Sequence, residues 1–468
     1  MKRLKLSFLS CLAIAASLLV ASCSNQNGPI KTEVPERPAG QQDMIGYADA
    51  PIDTIRVGIV GLGARGSFAV WRYTYVPWTK ITAICDVEPD RVEKSAKVLA
   101  EKGLPEPAKY SGYEGYKELC ASEDVDLVYV CTDWAHHVPV ALCAMENGKH
   151  TAIEVPSATS LQECWDLVNT SERTRRHCVI LENCCYDFFE LNALQMAKEG
   201  ALGEIVHVEG SYNHNLYDYW NDYWHDWRLQ FNATHKGDVY PTHGLGPVAQ
   251  ALGINRGDRF TTLTAYATAS FNGVKAMKEY RGVDCPDFQN GDVTCTMLGT
   301  ENGKTALIEH DVLTPRPYDR MYQLVGTLGY AAKYPVEEIT LRQEVLDEYG
   351  VNYKIENQHA ALPKYVEGEV RAKFQSPIIN DELAAQAKAV GGHGGMDWIM
   401  DYRLAYCLHY GLPVDMDVYD LASWCCLAEL GALSIDNGNA AVEVPDFTRG
   451  GYLKRDGFKY AFADGSFK

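Results

Sequence analysis

The chain has 468 residues, 46% of them hydrophobic, which is more apolar surface than one ordinary core needs and enough for two domains. Aspartate and glutamate (62) outnumber lysine and arginine (43), and no basic stripe is interleaved with aromatics, so nucleic acid is excluded as a partner. The 15 cysteines form no C-x-x-C pair and there is no H-E-x-x-H, so no metal site is signalled and buried free thiols are expected.

Residues 1–22 read as an export signal: a basic start (Lys2, Arg3, Lys5), an apolar run from Leu6 to Val20, then small residues ending at Cys23. Val20-Ala21-Ser22-Cys23 resembles a bacterial lipobox, which implies cleavage before Cys23 and lipidation of its thiol. The expected location is the cell envelope, anchored to a bacterial membrane on its periplasmic or surface side. Residues 23–53 are polar and contain Pro and Gly, as a tether between anchor and body would.

The folded body is predicted to begin at Thr54. Apolar strands at 55–60, 81–85, 127–131, 151–155 and 179–182 alternate with helices that open after Gly66 and near Glu88 and cover 113–120, 138–147 and 161–174. This α/β alternation predicts a doubly wound parallel sheet over 54–183. After a helix at 188–199 come longer alternating stretches such as "EIVHVEGSY" and "TALIEHDVL", which predict a second, α+β domain over 184–468 with a largely antiparallel sheet.

"RVGIVGLGARGSF" places Gly61, Gly63 and Gly66 in G-x-G-x-x-G spacing between a strand and a helix, with Asp86 twenty positions after Gly66 at the end of the next strand. Such glycines let backbone N–H groups approach a pyrophosphate at a helix N-terminus, and the acid accepts hydrogen bonds from ribose hydroxyls. Asp86 would repel a 2′-phosphate, so the expected cofactor is NAD(H) and not NADP(H). The fifth strand, in "TAIEVPSATS", carries Glu154 at its exit, followed by Val155 and Pro156.

With "TDWAHHVPVALCAMENGKHTAIEVP" the chain resembles the Gfo/Idh/MocA oxidoreductase superfamily, whose sugar dehydrogenases have a proton-accepting lysine where Val155 stands here. A more specific resemblance runs through "GLGARG", "TDWAHH", "EVP", "ENCCY", "DWR", "YPTHGLGP", "PRPYDRMYQLVGT" and "GGHGGMDW": the chain is similar to glycoside hydrolase family 109, the NAD-dependent α-N-acetylgalactosaminidases. The resemblance implies cofactor contacts at Ala64, Arg65, Asp86, Trp134 to His137, Glu154, Val155 and Asn183. It implies sugar contacts at Tyr212, Arg228, Tyr240, Pro241, Thr242, His243 and Tyr322.

An export signal on a dinucleotide-binding fold sets a constraint of its own. A dehydrogenase with net turnover must exchange its nicotinamide cofactor, and no such pool is available outside the cytoplasm. An enzyme that returns the hydride it took needs none, and NAD-dependent glycosidases are a known departure from paired-carboxylate catalysis. The expected substrate is a glycan ending in α-N-acetylgalactosamine; the competing expectation is an ordinary NAD-dependent sugar oxidoreductase.

Tyrosine ionises near pH 10 and histidine near 6.5, so His243 is the expected base, with Tyr186 and Tyr322 as secondary candidates. His393 in "GGHGG" is given no catalytic role. "YNHNLYDYWNDYWHDW" (212–227) packs seven aromatics into sixteen residues, which suits sugar stacking or, equally, a loop staple or an interface in a homo-oligomer. Asp222 and Asp226 resemble a paired-carboxylate site that the NAD route does not need.

Overall fold

The computed structural model describes residues 28–468; the export signal and Cys23 lie outside the described residues. The first sheet has six parallel strands, β1 (Ile55–Val60), β2 (Thr79–Asp86), β3 (Ala108–Ser111), β4 (Leu127–Val130), β5 (His150–Ile153) and β6 (Cys178–Ile180), ordered β3-β2-β1-β4-β5-β6. Helices on both faces bury β4 and β5 along their whole length, which is why those strands read as continuous apolar runs. The strand order reverses between β1 and β4, and in such sheets ligands bind outside the carboxyl ends at that point.

Two local departures have physical reasons. Strand β3, "AKYS", is an exposed edge with no apolar face to betray it. The helix expected from residue 138 begins at Trp134, because the Asp133 side chain accepts a hydrogen bond from the backbone N–H of His136 and caps it there.

The second sheet contains β7 (Ile205–Asn213), β8 (Phe260–Ala267), β9 (Thr294–Thr300), β10 (Thr305–Asp311), β11 (Gln323–Gly326), β12 (Gly329–Ala332), β13 (Glu338–Leu341) and β14 (Val442–Glu443). Its order is β13-β12-β11-β7-β10-β9-β8-β14, antiparallel throughout except for the β7/β10 pair. The helix Thr242–Leu252 lies on β7 at backbone contact: a Cβ on Gly210 would stand 2.1 Å from the Gly244 carbonyl oxygen, and one on Gly244 2.5 Å from the Ser211 nitrogen. Only glycine at both positions permits this approach, and it brings His243 against Tyr212.

The expected free tether is bound from Ile30 onward. Ile30 bridges to Val442, Arg37 forms a bidentate pair with Glu172 at 2.9 and 3.0 Å and also donates to the Thr448 carbonyl, and the Met44 N–H donates to the Tyr419 hydroxyl at 2.9 Å. Glu172 belongs to the first domain and Thr448 and Tyr419 to the second, so this segment straps the two together. The buried Arg72–Asp401 pair, at 2.7 Å, ties them again. One apolar helical stretch among the described residues, Val418–Asp436, is long enough to cross a membrane, but 78% of its apolar window is buried inside the fold, as in a core helix. All 13 cysteines among the described residues are free thiols.

Candidate active site

The glycine loop has the shape of a phosphate cradle. Gly61 has φ +89°, and a Cβ there would stand 2.5 Å from the Cys131 carbonyl oxygen; a Cβ on Gly66 would meet the Gly61 carbonyl oxygen at 1.7 Å. Gly63 begins the helix Ala64–Tyr73 with no side chain capping it, so the first N–H groups remain available to a ligand. The Asp86 carboxylate accepts from the N–H of Leu62 at 2.6 Å and of Glu88 at 2.9 Å, which orients it and leaves lone pairs for a ribose diol. These groups border a cavity of about 280 Å³ whose other walls include Tyr113, His136, Trp224 and Trp227. Cradle, helix terminus and carboxylate together fit a dinucleotide.

At the exit of β5, Glu154 is committed. It accepts from Arg65 Nε at 2.7 Å and from the Tyr129 hydroxyl at 3.1 Å. Arg65 also pairs with Asp397 at 2.6 Å, and Asp397 in turn accepts from Asn183 at 2.5 Å and meets His393 at 3.0 Å. Arg65 therefore joins the glycine loop, the β5 exit and the helix Met396–Tyr410 of the second domain. Gly392 is needed here, because a Cβ would stand 2.7 Å from an Asp397 oxygen. Val155 is 7% exposed and brings no proton-transfer group to the strand exit. His137 is a strut: its ring nitrogens contact the carbonyls of Pro156 at 2.9 Å and Thr132 at 3.0 Å, and burial lowers its pKa.

The other end of the cleft is a ring cage at the domain seam. Trp134 stands edge-on to Trp227 (5.0 Å) and Phe231 (4.9 Å) and lies 5.7 Å from Tyr240, which stacks on Tyr212 at 4.4 Å. Arg228, 7% exposed, sits over Tyr240 (4.9 Å), Trp134 (5.1 Å) and Tyr223 (5.3 Å), and donates to the Tyr223 hydroxyl at 2.9 Å. Among the described residues no carboxylate lies within ion-pair distance of it, and its Nε has no partner. A buried guanidinium without a counter-charge costs several kcal/mol, as an order of magnitude, unless a ligand oxygen completes it.

Beside Arg228, His243 Nδ1 lies 2.6 Å from Glu182 Oε1, and Nε2 lies 3.5 Å from the Tyr240 hydroxyl. Glu182 is fully buried at the end of the β6 segment; burial alone would raise its pKa, but the charge and hydrogen bond of His243 outweigh that and lower it. The pair orients the ring and leaves Nε2 for chemistry. Burial pushes the Tyr212 hydroxyl up to about 12 and raises Tyr240 as well, so both are neutral donors at physiological pH. Pro241 precedes the helix Thr242–Leu252, and Thr242 is fully buried with its hydroxyl unpartnered. Glu182, Cys184 and His243 are close enough to suggest a metal cluster, but the Glu182–His243 contact is a direct hydrogen bond with no room for an ion between the two atoms.

Two sequence expectations are corrected. Tyr186 donates to Asp415 at 3.2 Å and Tyr322 to the Glu190 carbonyl at 3.3 Å; both are buried in the body, where burial raises their pKa, and neither reaches the cage. The tyrosine of "PRPYDRMYQ" on the cleft side is Tyr318, 39% exposed and edge-on to His214 at 5.1 Å; His214 itself meets the Tyr212 hydroxyl at 2.9 Å. Tyr318 and Tyr322 are four apart in an irregular segment with no period to distinguish them. Met321 and Tyr322 have φ of +54° and +51°, and that backbone turn sends one ring out and the other in. Glu182 was also missed, although a carboxylate closing an apolar strand was a usable signal. Asp222 and Asp226 are not a catalytic pair: Asp226 is held by Arg281, and Asp222 lies at the wall of the dinucleotide cavity.

Fold and site thus define a dinucleotide-dependent enzyme acting on a sugar. Residues 55–181 match the model of the oxidoreductase family with an NAD-binding Rossmann fold, and residues 186–454 that of the glycosyl hydrolase 109 C-terminal domain. Glycosyl hydrolase family 109 protein 1 of Bacteroides thetaiotaomicron is 56% identical over 93% of this chain and 94% of its own length. An NAD-binding oxidoreductase from Klebsiella pneumoniae (TM-score 0.62, 17% identity) and levoglucosan dehydrogenase in complex with NADH and L-sorbose (TM-score 0.61, 16% identity) share the fold over 84% of this chain and over 99% and 100% of theirs. The chain belongs to glycoside hydrolase family 109 and is an NAD-dependent glycoside hydrolase.

Proposed function

We propose that the enzyme removes terminal α-N-acetylgalactosamine from glycans without net redox change, and that His243 carries the proton. The observation that supports this most is the buried, uncompensated Arg228 beside a Glu182-oriented histidine, at the end of a dinucleotide cleft. The Gly61–Gly66 loop and Asp86 would hold NAD, which when bound would supply reversible hydride exchange at C3 of the sugar and so acidify the hydrogen on C2. His243 Nε2 takes that C2 proton as the glycosidic oxygen leaves C1 and is protonated by water; the hydroxide from that water adds to C1, and His243 returns its proton to C2. Tyr240 and Tyr212, kept neutral by burial, donate hydrogen bonds to sugar oxygens. Arg228 binds an oxygen of the sugar or of its N-acetyl group and excludes water from the cage. Val155 brings no base to the strand exit and Glu154 is held by Arg65, which supports proton transfer from the Tyr240 to His243 turn.

The test is an aryl α-N-acetylgalactosaminide in D₂O without added cofactor. The proposal expects aryl release, deuterium at C2 and no accumulating NADH. Steady NADH formation with external NAD⁺ would make the protein a sugar oxidoreductase instead.

We further propose that Cys23 is lipidated. The strap is bound from Ile30, which leaves a span of at most about 25 Å between anchor and body, so the enzyme would be held close to the membrane. Incorporation of a labelled fatty acid that Cys23→Ala does not reduce would overturn this.

A further inference from the structure

A segment of the second domain walls the cavity beside Asp86 and Arg91. Trp224, Tyr223 and Trp227 wall the same space as Gly63 and Asp86, and the Trp224 ring packs against the Arg91 guanidinium at 5.6 Å, which itself lies 3.6 Å from Asp86. The part of the cavity beside Asp86, where an adenosine ribose would be held, is thus walled by a segment of the other domain. That segment turns sharply at His225 and Asp226, at φ +51° and +49°, and is held from outside: Asp226 pairs with Arg281, and the Tyr217 hydroxyl donates to Glu279 at 2.7 Å. Both partners lie on the helix Phe271–Arg281, remote from the glycine loop.

We propose that Trp224, stacked on Arg91 and latched through Asp226 to Arg281, is a roof that retains NAD over many turnovers. The inference deepens the redox-neutral reading and rests on it for its purpose, since an enzyme that regenerates its cofactor in place gains nothing from releasing it. Physically, a dinucleotide leaves only after the roof lifts, and lifting breaks the Trp224–Arg91 stack and the latch. Each strengthens the barrier to release without touching the reacting end of the cleft.

The full-length protein is loaded with the fluorescent analogue 1,N6-etheno-NAD and chased with excess NAD, with no sugar present. Wild type is expected to release the analogue more slowly than it turns over an aryl glycoside. Trp224→Ala is expected to release it about tenfold faster or more, by loss of one aromatic contact. Arg281→Ala, which leaves the cavity walls intact, is expected to release it about threefold faster, as an ion pair of this kind predicts. Turnover of Arg281→Ala at saturating NAD should equal wild type. Release from wild type as fast as turnover, or unchanged rates in Arg281→Ala together with a folded or misfolded Trp224→Ala, overturns the roof. Because release is read without sugar, that failure is separate from an absence of deuterium at C2, which would instead overturn the proposed reaction.

Discussion

At the Gly61 end of the cleft the groups facing a ligand are backbone N–H groups and one carboxylate, supplied within some 26 consecutive residues from Gly61 to Asp86. At the His243 end they are side chains from distant segments: Trp134 after β4, Glu182 after β6, Tyr212 on β7, Arg228 and the Tyr240 to His243 turn. The first end recognises a feature common to all dinucleotides, and local geometry suffices for it. For the proposed reaction the second must place a charge, two neutral hydroxyls and a proton acceptor around one sugar. It does so with a cage whose members hold each other by stacking and whose carboxylate–imidazole contact, Glu182 to His243, is fully desolvated on the carboxylate side.

The sharpest way to break this contrast is at the proton acceptor. His243→Ala should lower kcat by about 10³-fold, within the range for loss of a positioned acid–base group, while cofactor content stays at wild type; loss of cofactor together with activity would mean that the two ends are not separable. Glu182→Gln keeps shape and removes charge, so kcat should fall about 10- to 100-fold, with the pH profile displaced where a purely structural change would leave it in place. Arg228→Met should raise KM and lower kcat/KM by about 10²-fold, because a buried charge-assisted hydrogen bond is lost, and the stability of the variant should not fall, since an uncompensated buried charge is removed. Asp86→Ala should weaken NAD binding about 10- to 100-fold, read by retained cofactor, with kcat restored at high NAD.

A smaller effect tests the sugar end by pH. Burial, with Arg228 second, lowers the pKa of His310 to about 3; burial, then Arg228 and neighbouring histidines, lowers His214 to about 4. Both fall below the unfolded value near 6.5, so the unfolded chain binds protons first as pH falls. Their contribution to stability is complete above about pH 6.5 and is lost as pH drops toward these folded-state values. The melting temperature should therefore fall between pH 6.5 and 4, less steeply in His310→Gln. The smallest effect contrasts two tyrosines: Tyr322→Phe should cost about 1 kcal/mol of stability through its bond to Glu190 and leave KM unchanged, whereas Tyr318→Phe should change KM and leave stability unchanged.

Much of the first domain was legible because each of its signals is local. A strand buried on both faces is apolar throughout, a helix with Ser160 and Glu163 as its capping box starts where those residues stand, and a glycine loop needs its glycines at set spacings. The strap over 28–53 was misread because its polar residues resemble a solvated linker, and only the partners, Glu172, Tyr419 and Thr448, show that they are bound.

By itself the sequence determined the cofactor class, the parallel sheet and the mixed second domain, since all of these depend on residues near one another in the chain. Tertiary structure alone decided that Glu182 orients His243, that Arg228 has no counter-charge, that Tyr318 and not Tyr322 faces the cleft, and that Trp224 covers the dinucleotide cavity. The reason is that desolvation and contact are properties of neighbours in space, and a buried charge, an orphaned donor or a covered cavity has no period or spacing along the chain.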